Sequence, residues 1–294
     1  MQDEPAGQCS DSLHLRRSLC IGLAVLYGMI LLNLLWAAYC AFTHQKFMLY
    51  DYGRYTNMLW NCGHGRLFHC LLDDNYLLSH LSYSLALLGP LYRVWDDPFL
   101  LAVVQWLFLL GGSVVLGLVA RRLGLPCLQV MAVLVFYVGY IFTQSVMLCE
   151  FHGVSAYFLL VPWLYYCLRF QRGFLWLPFG LILGLREEAG LVIVPLLLYG
   201  GVTQRWKPAL FLAFLAVAYV AFAVFSLYPS VAHISVFEHS RGKADLVSIG
   251  KSFTGQNLVL RGIALFWTVL PVILLLRRGW RPLLVIPSVA LVMA

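Results

Sequence analysis

Long apolar segments separated by short polar intervals make up most of this chain. They lie at residues 19–42, 98–120, 125–148, 154–168 and 210–228. A helix needs roughly 20 apolar residues to cross the hydrocarbon core of a bilayer, and several of these segments have that length. The pattern therefore predicts an all-α, polytopic transmembrane domain.

The segment 77–95 is also apolar, but His80, Gly89 and Pro90 are among the residues that interrupt it. It could cross the membrane, or it could lie flat in the interface. Lys and Arg collect on the cytoplasmic side of membrane proteins. Only the flat arrangement places Arg121 and Arg122, at the end of the next helix, on that side, so we expect interfacial helices here.

The segment 174–204 carries Arg186, Glu187 and Glu188 near its middle. A single span would place these side chains at the bilayer centre, at about 2.5–3.5 kcal/mol each on insertion scales. A hairpin with short arms at 174–185 and 190–204 avoids this cost. Its polar turn would lie in a recess, because irregular backbone at membrane depth is tolerated only where it lines a protein cavity.

Arg16 and Arg17 precede the first apolar segment and indicate a cytoplasmic N-terminus. The predicted organisation is a cytoplasmic tail at 1–15 and a single transmembrane domain at 16–294, with outer loops at 44–97 and 229–260. This topology places most of the acids and histidines outside and a majority of the Lys and Arg inside. The last apolar run is short and ends at Ala294, which leads us to expect a C-terminally truncated sequence.

Composition agrees with a membrane protein: 62% of the 294 residues are hydrophobic and 11% are charged, against about 25% charged residues in soluble domains. The positive-inside rule accounts for the net charge of +7, so we expect no nucleic-acid partner. Among the cysteines, Cys62 and Cys70 share a polar loop. They could form a disulfide in an oxidising compartment or, together with His64 and His69, ligate zinc.

The longest polar interval, residues 49–80, has Asp51 near its start. Asp51 could act as a general base toward a substrate hydroxyl, or it could cap an amphipathic helix. Asp73 and Asp74 could bind a divalent cation or form a solvated turn. The residue types do not single out one set of metal ligands.

Glu150 and His152 follow segment 125–148 at the predicted outer boundary of the membrane, where unpaired ionisable groups are costly. These two residues could be catalytic, or they could form structural pairs with each other or with Arg186. The guanidinium of Arg186 could bind a lipid phosphate through its fork of donors. It could instead pair with Glu187 or Glu188.

Four short motifs follow one another along the chain: DYGRYTNMLWNCGHGRLF, NYLLSH, EFHGVSAYF and LREEAG. They resemble motifs of an uncharacterised bacterial family of predicted membrane proteins related to the GT-C glycosyltransferases, and the resemblance runs from Asp51 to the end of the chain. In the protein mannosyltransferase-like and lipid A aminoarabinose transferase branch of GT-C enzymes, the first loop reads Asp-Glu-x-x-Tyr. Asp51 and Tyr55 match this pattern, and Tyr52 stands in place of the Glu.

The resemblance implies a GT-C-like membrane glycosyltransferase that inverts the sugar, in the bacterial cytoplasmic membrane. Its donor would be a polyprenyl-phosphate sugar, its acceptor a glycan, lipid or protein, and its surroundings membrane lipids. Mg²⁺ or Mn²⁺ remains open as a cofactor. The implied catalytic residues are Asp51, Glu150 and His152. The implied substrate-binding residues are Tyr55, His80, Arg186, Glu187 and Glu188.

A lipid or solute transporter is one alternative, and a non-catalytic membrane subunit with a GT-C-like fold is another. A transporter needs polar groups near the middle of the membrane, and the predicted spans offer few. The enzyme hypothesis makes a geometric prediction that the alternatives do not make. Five residues far apart in sequence should meet: Asp51, His80, Glu150, His152 and Arg186.

Overall fold

The computed structural model describes residues 6–44, 49–71, 75–78, 80–227 and 229–230. In this part of the chain every regular element is helical, which confirms the all-α prediction. The α-helices are α1 (Ala6–Thr43), α2 (Leu49–Gly63), α3 (Leu100–Arg122), α4 (Cys127–Gly139), α5 (Ile141–Leu148), α6 (Tyr157–Phe170), α7 (Trp176–Leu183), α8 (Ala189–Thr203) and α9 (Lys207–Phe222). Short 3-10 helices occupy Tyr76–Leu78, Tyr83–Arg93, Gly153–Ala156 and Arg172–Phe174, and α9 continues into a π-helical turn, Ala223–Leu227.

Among the described residues, three helical stretches are long and apolar enough to cross a membrane: His14–Thr43, Leu100–Arg122 and Lys207–Leu227. Within their most apolar windows, only 11%, 44% and 28% of the residues are buried inside the protein. The remaining apolar side chains face outward, and exposed apolar surface of this extent is typical of a membrane interaction site rather than of a water-facing surface. The chain is therefore a membrane protein with several apolar helices.

The predicted segment 125–148 consists of two helices instead of one. Tyr140, between α4 and α5, has an extended backbone with φ −65° and ψ 134°. A residue in this conformation cannot continue the helical hydrogen-bond ladder. Hydropathy does not detect such a break, because apolar side chains continue on both sides of it.

The interrupted segment 77–95 forms the 3-10 helix Tyr83–Arg93 instead of a transmembrane helix. Its 11 residues, at about 2.0 Å rise each, extend about 22 Å and are too short for a bilayer core of about 30 Å. This helix packs closely on α2 at two glycines. A Cβ on Gly63 would lie 2.5 Å from the backbone oxygen of Gly89, so only glycine permits this approach.

The segment 174–204 is broken as the hairpin hypothesis requires, because α7 ends at Leu183 and α8 begins at Ala189. A continuous helix through Arg186 is therefore excluded. The turn between the two helices packs on the start of Tyr83–Arg93, where the Ser84 backbone N–H donates to the Gly184 carbonyl at 2.8 Å.

The helices run back and forth between two ends, as several contacts show. The guanidinium of Arg122 lies over the ring of Tyr166, at 5.0 Å, near the end of α6. Arg172 stacks over Trp206, at 4.9 Å, before the start of α9. We call this end, with Arg121, Arg122, Arg169 and Arg172, the basic end. The opposite end carries Asp51, Glu150 and the turn with Arg186, and we call it the site end.

Some predictions are not tested by these elements. The division into a tail at 1–15 and a domain at 16–294 stays a prediction, and α1 begins at Ala6, inside that tail. The outer loop 229–260 and the final apolar run lie, beyond Ser230, outside the described residues.

Candidate functional site

Asp51 lies in the first turn of α2. It is the third residue of that helix, so it lies inside the helix and does not serve as its N-cap. A carboxylate in this position is favoured by the partial positive charge of the helix N-terminus. The adjacent Tyr52 donates from its hydroxyl to the Pro98 carbonyl at 2.6 Å. This bond holds the start of α2 against the start of α3.

Glu150 and His152 lie in the segment between α5 and the 3-10 helix Gly153–Ala156, where the backbone of Cys149 and His152 is extended. Alternate side chains of extended backbone point to opposite sides. Phe151 is 1% exposed and packs edge-on against Tyr55, with ring centroids 5.2 Å apart. Because Phe151 points into the core, its two polar neighbours project together toward Asp51.

The structure brings these three side chains into one group, which we call the carboxylate–imidazole cluster: Asp51, Glu150 and His152. One ligand atom from each lies within 4.8 Å of those of the other two. Within the described ranges, with gaps at 1–5, 45–48, 72–74, 79, 228 and beyond 230, this is the one group of three or more such side chains close enough to hold a metal ion.

Burial shifts the pKa values of Glu150 and His152. Burial raises the pKa of the Glu150 carboxyl, the negative charge of Asp51 raises it further, and a hydrogen bond from the Tyr52 backbone lowers it in part. Burial also lowers the pKa of the His152 imidazole; Asp51 opposes this effect, whereas Arg186 and His80 add to it. Both shifts are toward the uncharged form of the group, relative to its ordinary pKa.

Tyr55 forms one wall of the cluster. It follows Asp51 by four residues on α2, so the two side chains lie on the same helix face. Its buried ring packs against Tyr76, with centroids 5.3 Å apart, and meets His152 edge-on at 6.4 Å. Tyr76 is 3% exposed. The sequence contained one signal for it, since it belongs to the NYLLSH motif, but no role was predicted for it.

Glu187 and His80 form a second pair at the same end. His80 Nδ1 lies 3.1 Å from Glu187 Oε1, and the Leu81 backbone N–H donates to Glu187 Oε2 at 3.2 Å. Glu187 is 6% exposed. Burial acts to raise its pKa, but the hydrogen bond and the charge of His80, with backbone N–H donors, outweigh burial, so the pKa of Glu187 is lowered.

Ser82 strengthens the same junction, and its residue type alone did not indicate this role. Its hydroxyl donates to the Leu185 carbonyl at 2.8 Å, and the side chain is 1% exposed. The loop that carries His80 is therefore bonded to the turn between α7 and α8 at several points.

Arg186 pairs with Glu188, with Nε and Oε1 2.8 Å apart, so an ion pair is formed within the turn. Both side chains are partly exposed, at 35% and 39%. Arg186 is close enough to the cluster for its charge to act on His152 and on Tyr55. His80 likewise acts on His152. The five residues predicted to meet thus lie at one end of the bundle, in two adjoining groups.

The structure does not join the remaining candidates to this site. Cys62 and Cys70 are free, buried thiols, so the disulfide left open by the sequence is not formed. His64 stacks on Trp60 with ring centroids 4.0 Å apart, and it is not part of the cluster. Asp73 and Asp74 lie outside the described residues.

Comparison with known proteins gives one family. The family model described as "Predicted membrane protein (DUF2079)" matches residues 44–294, which include every candidate site residue. No curated protein and no solved structure matches the chain. Since the match covers most of the sequence, from just before α2 onward, the chain belongs to the DUF2079 family of predicted membrane proteins.

Proposed function

We propose that this protein is a membrane glycosyltransferase that moves a sugar from a polyprenyl-phosphate donor to an acceptor hydroxyl. One observation carries the proposal: two carboxylates, the half-buried Asp51 and the buried Glu150, adjoin two basic residues, His80 and Arg186, at one end of a membrane bundle. Sugar transfer from a lipid phosphate needs a carboxylate and basic groups. The carboxylate accepts the proton that leaves the acceptor, and the basic groups stabilise the negative charge that develops on the phosphate.

The residues divide the reaction between them. Asp51 accepts the proton of the acceptor hydroxyl as that oxygen attacks the anomeric carbon. The bond between the anomeric carbon and the phosphate oxygen breaks, and its electron pair leaves with polyprenyl phosphate. Arg186 and His80 stabilise that leaving phosphate. A single attack from the face opposite the phosphate inverts the anomeric configuration, and the transition state resembles an oxocarbenium ion.

Glu187 and Glu188 orient the two basic residues. Glu187 binds Nδ1 of His80, which leaves Nε2 for a substrate oxygen. Glu188 forms an ion pair with Arg186, 2.8 Å from its Nε, and the terminal guanidinium nitrogens would bind a phosphate. Tyr55 packs against His152 and forms one wall of the site.

The charge distribution supports a location of this chemistry outside the cytoplasm. Arg121, Arg122, Arg169 and Arg172 lie at the basic end, and such residues collect on the cytoplasmic side. The site end then faces the opposite side of the bacterial cytoplasmic membrane, and the N-terminus is cytoplasmic. Membrane lipids deliver the donor laterally to this end.

Polar groups within the helices support the enzyme over the transporter. Gln105 of α3 is 2% exposed, and its side-chain amide donates to the carbonyl of Val146 at 2.9 Å. Ser113 donates to the Leu109 carbonyl of its own helix at 2.9 Å. The Gln105 amide joins two helices, and the Ser113 hydroxyl bonds within its own helix. Neither group lines a polar path across the membrane.

The test uses the full chain in lipid nanodiscs with a panel of radiolabelled polyprenyl-phosphate sugars and acceptors, and it measures the release of polyprenyl phosphate. A general base contributes about 10²–10⁴-fold, so Asp51→Asn should lower the rate by at least about 100-fold. Asp96→Asn, an exposed carboxylate at the same end, is the matched control and should leave the rate unchanged. Full activity of Asp51→Asn would overturn the proposal, as would the absence of release by the unmodified protein with every donor.

A second variant tests the phosphate site. Arg186→Gln should raise the KM for the donor and leave α7 and α8 folded, whereas Arg66→Gln, at an exposed arginine of the same end, should not change it. Arg186→Lys should restore the donor KM only in part, because Lys keeps the charge but loses the fork of donors. An unchanged KM in Arg186→Gln would remove Arg186 from the proposed site.

A further inference from the structure

The basic end carries cations without acidic partners. Arg205 and Lys207 flank Trp206 at this end, so its exposed cations are Arg121, Arg122, Arg169, Arg172, Arg205 and Lys207. Among the described residues, the ion pairs between side chains involve Glu187 and Glu188, and both pairs lie at the site end. The cations of the basic end therefore have no carboxylate partner in this part of the chain.

Two of these arginines are held in place by uncharged groups. The guanidinium of Arg122 lies over the ring of Phe170, the last residue of α6, at 5.5 Å from the ring centroid. The guanidinium of Arg172 lies over the ring of Trp206, and it donates to the side-chain oxygen of Gln204 at 3.0 Å. Aromatic faces and an amide oxygen orient a guanidinium without neutralising it. Both side chains are therefore ordered before an anion binds, which lowers the entropic cost of binding.

Arg205 occupies a backbone position that favours glycine. Its φ is 50°, and the Trp206 N–H donates back to the Gly201 carbonyl at 3.1 Å, the hydrogen bond of a Schellman turn at the end of α8. At the same end of the bundle, α3 closes with the same turn, and the corresponding residue there is Gly124, with φ 75°. An arginine in this conformation is strained, whereas a glycine is not. The local backbone therefore does not explain the arginine, but an anion bound at this end does.

We propose that the basic end is a binding site for an anionic phospholipid with two phosphate groups. Arg122 lies over the last residue of α6 and Arg172 follows that residue by two positions, so each can bind one phosphate through its fork of donors. Arg205 adds a third charge beside Trp206. This site lies at the opposite end of the bundle from the carboxylate–imidazole cluster, and it does not depend on glycosyl transfer.

Apolar side chains next to these arginines favour a lipid over a soluble anion. Phe174, Trp176 and Leu177 follow Arg172 closely in the chain, and all three are exposed. Trp is enriched at the depth of the lipid headgroups, and basic pockets between transmembrane helices bind phosphorylated headgroups. A phospholipid satisfies both sets of side chains at once, because its phosphates meet the arginines while its acyl chains cover the apolar surface.

The experiment titrates the full chain, purified and delipidated in detergent, with cardiolipin, and it counts the bound lipid by native mass spectrometry. We expect one cardiolipin to bind saturably and at least tenfold more tightly than phosphatidylglycerol, and phosphatidylcholine to bind more weakly still. Inorganic phosphate should not displace it. Each cation that faces an anionic lipid contributes about fivefold in affinity. The double variant Arg122→Gln with Arg172→Gln should therefore weaken cardiolipin binding at least tenfold.

The matched control is the double variant Arg16→Gln with Arg17→Gln, which removes the same charge. Both residues are exposed. They belong to the same end, because Cys20 of α1 lies within hydrogen-bond reach of Cys127, the first residue of α4. This control should change the affinity by less than about twofold. Equal losses in the two double variants would show that binding follows net charge alone, and would overturn the proposal.

Arg205→Gly separates loss of the site from loss of folding. Glycine relieves the backbone and removes the charge, so this variant should raise the thermal unfolding midpoint of the lipid-free protein and yet weaken cardiolipin binding. Cardiolipin should raise the midpoint of the unmodified protein and of the Arg16 and Arg17 control, with little effect on the Arg122 and Arg172 variant. Unchanged affinity in Arg205→Gly, displacement by inorganic phosphate, or no saturable binding of cardiolipin would each overturn the proposal.

Discussion

Replacing Glu187 with Gln preserves the shape of the side chain but removes the charge that joins the His80 loop to the turn between α7 and α8. Glu187 is 6% exposed and accepts from His80 Nδ1 at 3.1 Å and from the Leu81 backbone N–H at 3.2 Å. A glutamine has one acceptor oxygen, and its amide nitrogen would face a donor. One of these two hydrogen bonds is therefore lost, and the other loses its charge.

The size of the effect follows from these two bonds. Hydrogen bonds to charged groups contribute about 1.5–3 kcal/mol each, and neutral ones about 0.5–1.5 kcal/mol. Losing one and weakening the other would cost about 2–4 kcal/mol, and relief of the burial of a carboxylate offsets part of this loss. We expect Glu187→Gln to lower the free energy of unfolding by about 2 kcal/mol at pH 7.

The matched control is Glu188→Gln. Glu188 is the next residue, its side chain is 39% exposed, and its partner is the partly exposed Arg186. Exposed ion pairs contribute about 0–1 kcal/mol because solvent screens them. Glu188→Gln should therefore change stability by less than about 1 kcal/mol. The assay is unfolding of each protein in detergent micelles by titration with sodium dodecyl sulfate, followed by tryptophan fluorescence.

The same carboxylate predicts a pH dependence. The pKa of Glu187 is lowered in the folded protein. Its contribution to the free energy of unfolding is therefore fully present at pH values above the pKa of the unfolded chain, about 4.3. This contribution is lost as the pH falls through the pKa of the folded protein. The stability difference between the unmodified protein and Glu187→Gln should therefore shrink as the pH decreases below about 4.3. A difference that stays constant down to pH 3, or equal effects of the Glu187 and Glu188 variants, would refute this reasoning.

Three further predictions concern packing, helix joining and thiols. Gly63→Ala should destabilise the protein by about 1–3 kcal/mol, because the added Cβ would lie 2.5 Å from the backbone oxygen of Gly89. The control Gly53→Ala lies in open space on the same helix and should be neutral or stabilising in the same unfolding assay. Gln105→Leu should cost about 1–3 kcal/mol, because it removes the amide that bonds the last turn of α5 just before the cluster; unchanged stability would contradict this role. Reducing agent should not change the melting midpoint, since Cys62 and Cys70 are free, and both thiols should react with maleimide only after unfolding.

Local sequence was sufficient to predict much of the helical framework. The hydropathy of a segment depends on its own residues, so the spans near 19–42, 98–120 and 210–228 could be predicted without knowledge of their neighbours. The break in segment 174–204 could be predicted for the same reason, since charged side chains such as Arg186 make a continuous span costly wherever the helix packs. The motif order also indicated which side chains would share one end of the bundle.

The tertiary structure alone decided how those side chains pair. Glu187 binds His80, 107 residues away in sequence, whereas Arg186 binds Glu188, and charge patterns permit either arrangement. The burial of Glu150 and the alternation that aims it at Asp51 depend on Phe151 packing against Tyr55. Such contacts join elements that are distant in sequence, and their energies depend on distance and burial, which residue types do not encode. The sequence by itself therefore determined which groups could carry chemistry, and the packing of α2 against the segment after α5 decided which of them touch.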